Sequence, residues 1–254
     1  MIYLLLGAVC AWLGLSSGIG STTLLRPLLD AVSPLEPAAT SMLCTVATLS
    51  AALVSAFFAL AKPLPLHRDE LILLAGGAFA GGVLGDLISG RFFQMLTPSD
   101  AILLQNALLF TLIALPALYF SMLSHTLRPL SVTRLISLPA ALLIGLLASF
   151  LAFGAVPLTL MAYYLLFDAE DDEAASAALT ISLCAMAGKL LTLLIRNRMN
   201  LPNAELLLWL LPGALIGALI PMIPGMKLTM RRSGDMLLRL SLFTSLINMA
   251  ASFT

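Results

Sequence analysis

Charge is what this chain has least of. Thirteen basic and thirteen acidic side chains make up 10% of 254 residues and cancel to a net charge of zero. That balance, with no basic tail or basic-aromatic stripe, argues against nucleic acid as a partner. Histidine is almost missing too. His67 and His125 fall in short polar connections, which points to the surface rather than to catalysis. Cys10, Cys44 and Cys184, the three cysteines, lie in apolar runs with no CxxC spacing and no histidine nearby. They read as small buried hydrophobes, so no metal site, disulfide framework or cofactor is expected. The N-terminus, MIYLLLGAV, has no basic n-region and no small-residue cleavage site after its apolar run, and is expected to be mature sequence.

What the chain has in excess is apolar surface. With 60% hydrophobic residues and a mean hydropathy of +1.04, its long apolar runs are expected to be membrane spans. Charges and helix breakers divide it into segments 2–33, 38–61, 70–92, 100–122, 135–167, 174–195, 204–223 and 235–252. All but the first and fifth suit a single crossing, since about 20 residues cover the hydrocarbon core. The first and fifth are overlong and broken. From Gly14 to Ser41 runs GLSSGIGSTTLLRPLLDAVSPLEPAATS, in which small polar residues, an arginine and prolines interrupt any plain spanning helix. In the fifth, Pro139, Gly154 and Pro157 do the same.

The halves resemble one another. Thr40, Leu43, Cys44 and Ala47 recur at a constant offset as Thr180, Leu183, Cys184 and Ala187, and Pro27-Leu28 recurs as Pro157-Leu158 at a slightly shorter one. Gly77-Ala78 and Gly81 likewise match Gly213-Ala214 and Gly217. Internal repeats with broken helices in matching places are the sequence pointer to a secondary transporter's binding site.

Basic residues then choose between topologies. If all eight segments cross, the cations split almost evenly between the faces. If the first and fifth segments dip in and return, Lys62, Arg68, Arg128, Arg134, Lys227, Arg231 and Arg232 share one face, leaving Arg91, Arg196 and Arg198, with Arg26 at the hairpin, for the other. The expectation is an all-α polytopic membrane protein, a single membrane domain of two inverted repeats, residues 1–128 and 129–254. Each repeat has a re-entrant helical hairpin (2–33 and 135–167) followed by three transmembrane helices, with both termini periplasmic.

The order Gly-x-Gly, small residues, LLRPLL, a short loop and PAATS, repeated more weakly after the midpoint, resembles the sulfite exporter TauE/SafE family of membrane permeases. The resemblance spans essentially the whole chain and is best at Gly18, Gly20, Pro27, Pro37, Ala39, Thr40 and Ser41. The family's glycine run is here Ser21, Thr22 and Thr23, and the second copy keeps Gly154 and Pro157 but few other glycines. The resemblance implies a transporter, not an enzyme, that moves sulfite or organosulfonate anions across a bacterial inner membrane. The residues point the same way: glycines let backbone N–H groups approach, half-helix N-termini carry partial positive charge, hydroxyls replace lost hydration, and Arg26 adds a full charge and a forked donor set. The candidate substrate-binding set is Gly18, Gly20, Ser21, Thr22, Thr23, Arg26, Thr40, Ser41, Gly154 and Thr180, with the hairpin tips around 18–23 and 152–157 meeting near the midplane.

Each has a plainer reading. The glycines can serve helix packing, the hydroxyls can bond their own backbone, and Arg26 can reach the headgroups. The Gly77, Gly81 and Gly85 ladder reads as a helix contact. Asp86 and Lys189 are candidate coupling groups, with protons as the coupling ion; the plainer reading pairs Asp86 locally with Arg91 and lets Lys189 snorkel. The run Asp168 to Glu173 lacks the spacing of a calcium loop and reads as a solvated loop. The remaining alternatives are an intramembrane enzyme, which lacks a membrane histidine, a second buried aspartate and HExxH, and a non-transporting assembly factor. A homodimer is left open by the sequence.

Overall fold

The computed structural model describes residues 1–32, 35–59, 66–123, 130, 134–196, 204–223 and 230–252. Lys62, His125, Arg128, Arg198 and Lys227 lie outside them. The described residues form helices and no strand: α1 (Ile2–Ser16), α2 (Ser21–Val32), α3 (Pro37–Ala59), α4 (Arg68–Phe92), α5 (Pro98–Leu118), α6 (Ser137–Leu151), α7 (Val156–Leu166), α8 (Asp171–Ile195), α9 (Ala204–Leu219) and α10 (Met230–Ala251). Among the described residues, five stretches built on α3, α4, α5, α8 and α9 are long and apolar enough to cross a membrane. The protein is therefore an all-α polytopic membrane protein.

Both overlong segments break where the sequence places small residues. Between α1 and α2 the backbone takes positive φ at Gly18 (74°) and Gly20 (82°), a conformation that costs a side-chain-bearing residue about 1–2 kcal/mol. The Gly20 N–H reaches back to the Gly14 carbonyl at 3.0 Å. Between α6 and α7, Ala152 is left-handed at φ 50°. Phe153 N–H donates to the Ala148 carbonyl (2.9 Å) and Ala152 N–H to the Ser149 carbonyl (3.3 Å), the bond pattern of a Schellman ending. Pro157 then falls in the first turn of α7, where a missing N–H costs nothing.

Pro27 is a different case, because it sits inside α2 and leaves the Thr23 carbonyl without its i+4 donor. The Ser241 hydroxyl of α10 supplies that bond, and Asn248 Nδ2 donates to the Pro27 carbonyl at 2.7 Å. These residues belong to a buried polar stripe of α10, Ser241, Ser245 and Asn248, which faces inward rather than to lipid.

Two glycine seams join the halves. A Cβ on Gly77 would stand 2.6 Å from the Leu138 carbonyl, and one on Gly81 would strike that of Leu142, so α4 lies backbone to backbone on α6. In the same way a Cβ on Gly213 would strike the Leu4 carbonyl and one on Gly217 that of Ala8, which seats α9 on α1. Such close approach is how helices associate where lipid removes the hydrophobic drive. The residue pairs Gly77–Leu138, Gly81–Leu142, Gly213–Leu4 and Gly217–Ala8 advance together along both helices, so each seam is parallel. α8 also runs parallel to α4, because Gly82 meets Ala185 and, further along both, Asp86 meets Thr192. Three helix contacts recur when the first five helices are exchanged with the last five: α1 on α9 with α6 on α4, α3 on α9 with α8 on α4, and α2 on α10 with α7 on α5. α6 also packs on α8, a contact with no counterpart of like extent between α1 and α3 among the described residues.

Candidate functional site

The two breaks lie against each other. A Cβ on Gly154 would stand 2.5 Å from Thr22 Oγ1, and one on Gly20 would stand 2.9 Å from a methyl of Val156. Beside this junction is a small pocket with a cavity volume of about 30 Å3, lined by Leu15, Gly20, Ser21, Thr22, Thr48, Ala52, Val156, Leu179 and Ser182. Its walls are thus the end of α1, the starts of α2 and α7, and the middles of α3 and α8.

Two helix N-termini converge here, and their first N–H groups have no partner within their own helix. The partial positive charge of each N-terminus adds to the field at the same place. Thr22 is fully buried, and its Oγ1 has no hydrogen-bond partner among the described residues. A buried hydroxyl left unpaired costs about 1–3 kcal/mol. The pocket has no charged side chain in its lining. Its polar side chains are the hydroxyls of Ser21, Thr22, Thr48 and Ser182, of which Thr48 donates to the Cys44 carbonyl at 2.6 Å.

Of the residues expected from sequence, Gly20, Ser21 and Thr22 line the pocket, and Gly154 forms the contact behind it. Gly18 shapes the turn through its positive φ. Thr23, Thr40 and Thr180 bond their own helices or the adjoining turn, through the carbonyls of Ile19 (2.7 Å), Glu36 (3.4 Å) and Ser176 (2.9 Å). They and the half-buried Ser41 do not line the pocket. Leu179 and Ser182, neighbours of Thr180, line it instead, and Thr48 takes the place expected of Thr40. The signal for Thr48 and Ser182 was a hydroxyl in the middle of a spanning helix.

Arg26 lies one turn beyond Thr22 on α2 and is 1% exposed. It does not snorkel. Its Nε bonds Asp30 at 3.1 Å, and its Nη1 is buried with no partner among the described residues. Lys189 lies two turns beyond Ser182 on α8 and is equally buried. Asp86 faces it at 3.9 Å and accepts from the Thr192 hydroxyl at 2.8 Å. This corrects the local readings: Asp86 pairs across helices with Lys189, while Arg91 is exposed, because α4 and α8 run parallel in close contact. Each buried cation thus has a carboxylate partner, as burial in an apolar core demands. The acidic run also departs from a plain loop, since Asp171, Asp172 and Glu173 form the first turn of α8, where carboxylates favour the helix dipole.

Searches of curated proteins and of solved structures return no match. The family comparison is positive, and its match begins one residue after the start of α1 and runs through all ten helices. With residues 3–253 matched by the family described as "Sulfite exporter TauE/SafE", the chain belongs to that family of membrane transporters.

Proposed function

We propose that the protein carries small sulfur-containing anions, such as sulfite or an organosulfonate, across a bacterial inner membrane by alternating access, with the anion held between the two breaks. The observation that carries this reading is the pocket where the N-termini of α2 and α7 meet the unpartnered hydroxyl of Thr22. Backbone N–H groups and hydroxyls bind an oxyanion without a full opposing charge, which suits a carrier that must also release it. Arg26, one turn further along α2, has an Nη1 without a partner among the described residues and would add a cation near the anion.

Both breaks are read as re-entrant, giving two inverted repeats. The parallel course of α4, α6 and α8 supports this, because a straight crossing through α6 and α7 would leave α8 antiparallel to α6. On this reading both termini are periplasmic. A C-terminal reporter that is active only in the cytoplasm should be silent, and an active one would overturn the arrangement.

The test of the function is a proteoliposome uptake and thermal-shift screen with sulfite, sulfate, thiosulfate, sulfoacetate, taurine and a carboxylate control. Binding the native state at a hundredfold excess over Kd stabilises it by about 2.7 kcal/mol, so a rise in Tm with one sulfur anion is expected. No shift and no uptake with any of them would remove the reading.

A further inference from the structure

Ser149 stands in the last turn of α6, and its carbonyl loses the usual helical donor because the Phe153 N–H turns to Ala148 instead. From its own turn it receives one long bond, 3.3 Å from the Ala152 N–H. Lys189 Nζ makes the second, reaching over from α8. The Asp86 carboxylate balances the charge from 3.9 Å, so the ammonium's close partner is the carbonyl of the break. The Ser149 hydroxyl is tied down as well, donating to the Gly82 carbonyl of α4 at 2.6 Å.

The first break needs no such help. There the carbonyls of Leu13, Gly14 and Leu15 take N–H groups from Ser17, Gly20 and Gly18 in the same turn. Glycines close that break from within. The second break has Ala152 at its left-handed position and borrows a cation from a neighbouring helix.

We propose that Lys189 is a positioning residue: by capping the Ser149 carbonyl it holds the reversal that carries Gly154 against Thr22. Its consequence for transport rests on the anion reading above, whereas its effect on the break does not.

The test compares two charge-neutral forms of the full chain in nanodiscs, D86N/K189Q, which keeps an N–H donor at position 189, and D86N/K189M, which has none. Hydrogen exchange is followed without ligand in peptides covering 148–156, and sulfite affinity is measured in parallel. Exchange in D86N/K189M should be about tenfold faster than in D86N/K189Q, confined to that segment, with sulfite bound about tenfold more weakly. Equal exchange in the two overturns the proposal. Asp86→Asn alone keeps the lysine donor and should keep exchange slow, so fast exchange there overturns it even if D86N/K189M fails to fold. A difference in exchange with no sulfite binding by the wild-type protein would leave the positioning role standing and dismiss the anion reading.

Discussion

On the proposed reading, Thr22 concentrates the chemistry of the site in one hydroxyl. It is buried with no partner among the described residues, it lines the pocket, and it lies against Gly154 of the second half of the chain. Thr22→Val keeps the shape and removes the donor, so sulfite affinity should fall about tenfold or more, since hydrogen bonds to charged groups are worth about 1.5–3 kcal/mol. Arg26→Ala should weaken it too; wild-type affinity in a binding titration of either variant would take that residue out of the site. Ala152 is the opposite case, a residue that conflicts with its own backbone. Glycine is at ease at φ 50°, so Ala152→Gly should raise thermal stability by up to about 1 kcal/mol, read as a higher Tm.

At the scale of one element, α2 shows how a proline survives inside a helix. Pro27 removes the donor for the Thr23 carbonyl, and Ser241 on α10 replaces it. Ser241→Ala should therefore cost about 1–3 kcal/mol, the price of leaving a buried carbonyl unpaired. Restoring the N–H with Pro27→Ala in the same chain should recover part of that loss. Additive losses in the double-mutant cycle would show that the two residues act independently. α10 carries Arg231, Arg232, Asp235 and Arg239 besides an inward-facing polar stripe, and within that stripe Ser241 and Asn248 serve α2.

Over the whole molecule, the two glycine seams bind one half of the chain to the other. Gly81→Val and Gly217→Val each drive a side chain into a backbone carbonyl of the facing helix, which cannot yield as a flexible side chain would. Each should cost more than about 3 kcal/mol and lower the yield of folded protein in size-exclusion chromatography. Gly76 has nothing within 4 Å of its Cβ position, so Gly76→Ala should be close to neutral and serves as the control. Comparable Tm for all three variants would mean that the seams do not hold the halves together.

How much of this was legible beforehand follows from what each feature depends on. Membrane class, the two breaks and the repeated glycine pairs are local properties, set by hydropathy, proline and the absence of a Cβ, and the sequence alone determines them. So too does the motif that placed the chain in its family. The partners of Asp86 and Lys189, the pocket at Thr48 and Ser182 and the support of Thr23 by Ser241 join residues far apart in the chain. No periodicity records them. They were decided only when parallel packing of α4 with α6 and α8, and of α1 with α9, brought those faces together, because a hydroxyl or a charge in a spanning helix has no meaning until its neighbour is fixed.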